Sequence, residues 1–105
     1  MINRYLNQTC QIENVDDYDP EGKPTYETAF TAKCRIVFKQ EIAFDDRKKE
    51  YLIDGKVFLK KSTDIKEEAK ITFSGEELKV LFIRKSIELY GSTLFQRANF
   101  KRTNE

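Results

Sequence analysis

The chain has 105 residues, 19 of them Lys or Arg and 18 Asp or Glu, for a net charge of +1, and it contains no histidine. That length gives one domain with one core over residues 1–105 and excludes a separate substrate domain. A charge this close to zero argues against a molecule whose main work is neutralising a phosphate backbone. The missing imidazole removes the usual general base near neutral pH and the commonest metal ligand.

Met1–Leu6 lacks the apolar core of a secretion signal, and no apolar run approaches the length of a membrane span. The expectation is a chain that stays in the cytosol of the cell that makes it, away from membranes, with Cys10 and Cys34 as reduced thiols. Their simplest reading is as small buried hydrophobes.

Apolar residues alternate with a period of two through most of the chain, the pattern of half-buried strands. Residues 8–14 place Cys10 and Ile12 on one face. Asp16-Asp17-Tyr18-Asp19-Pro20-Glu21-Gly22-Lys23-Pro24 is dense turn chemistry. Residues 25–39 then read as one long strand, with Tyr26, Phe30, Ala32, Cys34, Ile36 and Phe38 on one face and Glu27, Thr31, Lys33, Arg35 and Lys39 on the other. A long charged segment follows, with six charges in a row from Asp45 to Glu50. Lys56–Lys60 is a strand, and Asp54-Gly55 before it is either a tight hairpin turn or a bulge. Residues 62–68 read as a polar connection with room for one helical turn. A short strand over 69–73, a turn at Ser74–Glu77, a long strand over 78–89, a turn at Tyr90-Gly91-Ser92 and a last strand over 93–102 complete the chain. About six strands joined mainly by short antiparallel turns resolve their edges by closing. The expected fold is all-β, a small antiparallel β-barrel with a long charged loop between the second and third main strands.

The search for chemistry yields little. Cys10 and Cys34 have no CxxC spacing and no His partner, so neither a zinc site nor a Cys–His nucleophile is expected. The four glycines are scattered singly among turns and make no phosphate cradle. The carboxylate pairs, such as Glu67-Glu68 and Glu76-Glu77, read as solvated surface, and Asp16, Asp17 and Asp19 lack the spacing and distal Glu of a calcium loop. The sequence therefore predicts no enzyme and no cofactor. Phe82, Tyr90, Phe95 and Phe100 would be base-stacking candidates on an oligonucleotide-binding barrel, but they fall into the alternation and read as core.

Taken in order, "NQTCQI", the acidic "DDYDPEGKPTYE", "AFTAKCRIVFK", the charged segment, and "GKVFLKKSTDIKEEAKITFSGEELKVLFI" form a linear pattern. It resembles the head-closure or stopper proteins of tailed bacteriophages, and more broadly the head–tail joining proteins. The resemblance implies a barrel that assembles as a dodecameric ring in the virion, at the head–tail interface, after synthesis in the bacterial cytoplasm, the free protein being a monomer or already a ring. Its partners would be the portal adaptor ring, tail proteins and the packaged double-stranded DNA in the channel. Gln40, Glu41, Ile42, Ala43, Phe44, Asp45, Asp46, Arg47, Lys48, Lys49 and Glu50 would face that channel as a gate. Asp45, Asp46 and Glu50 would repel DNA phosphate, and Arg47, Lys48 and Lys49 would bind it or pair with a neighbour. Asp16, Asp17, Tyr18 and Asp19 would touch the adaptor or an adjacent subunit, or simply connect two strands. A tail-side joining or terminator protein, and an oligonucleotide-binding barrel, are the alternatives.

Overall fold

The alternation seen in the sequence becomes eight strands with no helix in the computed structural model, which describes residues 6–89 and 92–103, with side chains of 86–94 excepted. They are β1 (Gln8–Glu13), β2 (Val15–Tyr18), β3 (Pro24–Tyr26), β4 (Phe30–Phe44), β5 (Glu50–Lys60), β6 (Lys70–Phe73), β7 (Glu76–Leu89) and β8 (Ser92–Arg102). Six of them close an antiparallel barrel in the order β1-β4-β5-β8-β7-β6, and β2 and β3 form a separate small hairpin. The expected turn at Tyr90-Gly91 and the chain ends before Leu6 and after Thr103 lie outside the described residues.

Alternation places one side of each strand inside. Cys10 and Ile12 of β1 face Cys34 and Ile36 of β4, Val57 and Leu59 of β5, Ile71 of β6, Leu78 and Val80 of β7, and Ala98 and Phe100 of β8. Closure leaves these strands no free edge within the barrel, so backbone donors and acceptors are met by ladders on both sides. Cys10 and Cys34 are free, buried thiols. The hydrogen bond with Cys34 and then burial push the Cys10 thiol well above its ordinary value, which makes it unreactive packing.

β5 and β6 are not neighbours in the barrel, so residues 61–69 must cross one open end. Ile65, 3% exposed, and Ala69 plug that end. Two buried amides fasten the crossing. Asn14 donates to the Asp64 carbonyl at 2.9 Å and accepts from the Lys66 N–H at 2.9 Å. Gln96 Nε2 donates to the carbonyls of Lys60 at 2.9 Å and Thr63 at 2.8 Å. Isolated turn bonds, Thr63 N–H to Lys60 and Ala69 N–H to Lys66, stand where one helical turn was expected. The segment is committed to the core and to these amides, and it has no length left for a helix.

Two further expectations change. The dense turn chemistry of 16–24 confines its turn to 19–23, where the Asp19 carboxylate accepts the Glu21 and Lys23 N–H groups and Gly22 takes φ +86°. The residues around that turn pair as β2 and β3, with Val15 opposite Tyr26. The strand expected over 25–39 is broken at 27–29, and β4 runs on to Phe44. Asp54-Gly55 lies inside β5, while the irregularity sits opposite it in β4, where the register shifts between Phe38 and Glu41.

Candidate interaction surface

The charged stretch read as a loop over 40–50 is mostly sheet. Gln40, Glu41, Ile42, Ala43 and Phe44 are the end of β4, Glu50 begins β5, and Ile42 pairs with Leu52, Ala43 with Tyr51 and Phe44 with Glu50. Only Asp45, Asp46, Arg47, Lys48 and Lys49 remain as the turn. The six consecutive charges suggested a loop because each is solvated and none carries an apolar partner in sequence. The ladder that includes their three apolar predecessors, Ile42, Ala43 and Phe44, is visible only once β5 is laid alongside.

One carboxylate builds the turn. Asp45 Oδ1 accepts the Arg47 N–H at 2.9 Å and the Lys49 N–H at 3.0 Å, and Oδ2 accepts the Tyr51 hydroxyl at 3.4 Å. These bonds, the Lys49 N–H first, hold the Asp45 carboxyl below its ordinary value. Lys48 takes φ 65°, the left-handed position that closes the turn.

Residues 39–54 thus form an arm, a two-stranded extension past the last pairing with β8 at Gly55–Phe100. Its faces differ. The side bearing Glu41, Ala43, Tyr51 and Ile53 turns against the barrel. Ile53 is fully buried, Tyr51 stacks on Phe82 of β7 with ring centroids 4.9 Å apart, and Asp46 reaches Arg84 at 3.9 Å. At the root, Glu41 pairs with Lys56 at 2.5 Å, and that contact lowers its carboxyl. Asp54 accepts the Arg102 N–H at 2.8 Å and Gln40 Nε2 at 3.1 Å, which lowers its carboxyl too. The opposite side of the arm carries Ile42, 59% exposed, Leu52, 65%, and Phe44, 52%. Ile42 and Leu52 are directly opposed and Phe44 follows two residues on, so the three make one apolar patch in water.

Register also assembles something that sequence order conceals. Arg35 stands opposite Phe58, Phe58 opposite Arg97, and Arg97 opposite Arg84, so one row across four strands carries three guanidiniums on the outside of the wall. Burial and then the neighbouring Arg84 charge lower the Arg97 guanidinium, and its Nε is buried without a hydrogen-bond partner among the described residues.

The other expected contact residues lie apart from the arm. Asp16, Asp17 and Tyr18 are exposed on β2, and Asp19 is in the turn that follows. The Tyr18 hydroxyl donates to Glu68 Oε1 at 2.7 Å, which raises the phenol, and Lys70 lies 4.8 Å over the Tyr26 ring. The β2–β3 hairpin is therefore fixed to the β6 side of the barrel. Of the stacking candidates, Phe82, Phe95 and Phe100 are 3%, 2% and 0% exposed, so they are not a base-stacking platform, and Tyr90 lies outside the described residues. No group of three His, Cys, Asp or Glu among the described residues is placed to hold a metal ion.

No family model and no curated protein matches the chain. What the molecule offers is a barrel whose most conspicuous exposed feature is the apolar side of a docked arm.

Proposed function

We propose that the chain is a structural subunit of a tailed-phage head–tail connector, which closes the portal channel after DNA packaging and gives the tail a surface on which to dock. The observation that carries this reading is the outward patch of Ile42, Phe44 and Leu52, left in water by an arm whose other side is buried. A monomer that spent its life alone would gain by making such a patch polar. An assembly subunit needs it for its neighbours. The order of sequence segments supports the same family, and the closed barrel supplies a rigid body from which an arm can be presented.

In this reading the partners are the portal adaptor, the tail and other copies of the chain. The part facing the channel is the turn Asp45–Lys49, whose charges are exposed and whose backbone is held by the Asp45 carboxylate. Release of DNA would then involve a pivot of the whole arm at the Phe38–Glu41 irregularity, since the paired strands behind the turn move as a unit. There is no bond chemistry. The burial of Phe82, Phe95 and Phe100 weighs against the oligonucleotide-binding alternative.

The test is to add purified protein to portal–adaptor complexes from its own phage and to image them by electron microscopy, alongside the Ile42→Asp/Leu52→Asp variant. A ring bound below the adaptor with the natural chain, and none with the folded variant, is the expected result. Failure of the natural chain to bind that complex would overturn the proposal. A ring of lower symmetry on isolated tails would move it to the tail-side joining proteins.

A further inference from the structure

The arm over residues 39–54 covers a seat on the barrel wall that is built to match it. On that wall Lys56 of β5 stands opposite Asn99 of β8, and Asn99 opposite Phe82 of β7, so the three make one row. Asn99 is fully buried, yet its chain neighbours Ala98 and Phe100 take the core side of β8. Alternation therefore puts Asn99 on the outside of the wall, where something must cover it. The arm covers it. Glu41 of the arm meets Lys56 at one end of the row, and Tyr51 stacks on Phe82 at the other. Asp46 of the arm turn reaches Arg84, two residues beyond Phe82 on β7. Carboxylates and a ring on the arm thus face cations and a ring on the wall.

The seat does not hold its own arm tightly. Asn99 Oδ1 and, on the same strand, Arg97 Nε are buried without a hydrogen-bond partner among the described residues. Unmet polar atoms cost free energy until water reaches them, which happens when the arm lifts. The Asp46–Arg84 contact is long, at 3.9 Å, and lies largely in water, so it adds little. The root of the arm is also irregular. Between the pairs Phe38–Gly55 and Glu41–Ile53, two residues of β4, Lys39 and Gln40, stand against one of β5, Asp54. That is a β-bulge, and its extra residue bends the arm back over the wall. An arm without the bulge would run straight, about 15–20 Å past the barrel at roughly 3.3 Å per residue, out of reach of its own seat.

We propose that the arm of one copy of the chain takes the seat on the β7–β8 wall of a second copy. Every copy carries one arm and one matching seat, and the seat makes the same contacts with either arm. Exchange needs no new complementary surface, only a different path of the chain through the bulge. Two copies that trade arms close as a dimer, and arms passed on in one direction close as a ring. The inference deepens the connector-subunit reading above by naming the contact between subunits, and it rests on that reading only for the setting in which the ring forms.

The experiment uses the full chain alone, by sedimentation velocity from micromolar to millimolar concentration. The chain's own arm competes for the seat at an effective concentration of about 1 mM, so the natural chain should be monomeric at micromolar concentration. Exchanged species should appear toward millimolar concentration, in urea below the unfolding midpoint. Deleting Lys39, whose side chain is 72% exposed, makes the β4–β5 register regular and denies the arm its own seat. Circular dichroism confirms that the variant is folded. It should associate without urea, at a concentration at least about tenfold lower than the natural chain. Lys39→Ala, which keeps the bulge, should behave as the natural chain does. Adding Tyr51→Ala to the deletion should weaken association at least about tenfold, because that ring now meets only a neighbour's Phe82. Adding Ile42→Asp/Leu52→Asp instead should leave association unchanged. A folded deletion variant that stays monomeric up to millimolar concentration overturns the proposal, as does a natural chain with no exchanged species there. Association that survives Tyr51→Ala and is lost with Ile42→Asp/Leu52→Asp also overturns it, and places the contact on the outer side of the arm. Because no phage component is present, these outcomes are independent of whether the chain binds portal–adaptor complexes.

Discussion

Gly55 sits where the arm leaves the barrel, and replacing it with Ala tests how tightly that junction is built. A Cβ added there would collide with the Val37 carbonyl oxygen on the neighbouring strand and come within 2.5 Å of Phe100 Cζ. Neither obstacle can retreat cheaply. Val37 pairs with Lys56 in the β4–β5 ladder, and Phe100 is fully buried at the centre of the core. Overpacking of this kind costs about 1–3 kcal/mol. For a domain of this size each 1 kcal/mol moves the midpoint by about 4–8 °C, so Gly55→Ala should melt roughly 5–20 °C below the natural chain. Gly75→Ala is the control. Its Cβ would meet nothing within 4 Å, and only its φ of +79° opposes a side chain. That variant should lose about 1 kcal/mol through backbone strain alone. Phe100→Leu added to Gly55→Ala should recover little, since the Val37 carbonyl still blocks the site. The assay is thermal and urea unfolding followed by circular dichroism. If Gly55→Ala melts within 2 °C or so of the natural chain, the close approach of β4, β5 and Phe100 is not as described and the account of the junction fails.

Removing the ring beneath the arm, Phe82→Ala, should cost about 3–5 kcal/mol and release the arm from β7, which hydrogen exchange would register as faster exchange at Tyr51 and Ile53. Gln96→Ala takes away the donor shared by the Lys60, Lys61 and Thr63 carbonyls, of which Lys60 keeps the Thr63 N–H, and the loss should lower stability by about 1–3 kcal/mol in urea titrations. Acid should loosen the arm first. Glu41, Asp45 and Asp54 all have carboxyls lowered in the folded chain, by Lys56, by the Lys49 N–H and by the Arg102 N–H respectively. A carboxyl lowered on folding contributes stability above its unfolded pKa of about 4, and that contribution disappears as pH falls through the folded value. Melting temperature should therefore drop as pH is taken from about 5 toward 2, and the drop should be shallower in Glu41→Gln/Asp54→Asn. An equal acid slope in that variant would place the sensitivity elsewhere.

Much of the barrel was legible because alternation is a local property. Cys10 and Ile12, Cys34 and Ile36, and Ala98 and Phe100 announce an inner face by spacing alone, and a side chain two residues on must share it. Turn chemistry at Asp19–Lys23 and Ser74-Gly75 was equally local, since one carboxylate or one positive φ is enough to reverse the chain. The arm failed that test of locality. From Gln40 to Glu50 its apolar residues are few and its charges many, so it reads as loop until Leu52 is set opposite Ile42 and Tyr51 is stacked on Phe82, far along the chain.

The chain by itself determined the class of fold, the lack of any imidazole and most of the core, though not all of it, since Phe30 and Phe38 share the spacing of Cys34 and Ile36 and stand exposed. Each of these depends on which residue types are present and on their spacing by two. Tertiary structure decided the rest. Which side of the arm is buried depends on how the β4–β5 extension bends over β7, and that bend is set at a register shift between Phe38 and Glu41. Whether charges cluster depends on strand order, which brings Arg35, Arg97 and Arg84 into one row across β4, β5, β8 and β7. Strand neighbours are chosen by closure of the whole sheet, a condition no single stretch of sequence contains.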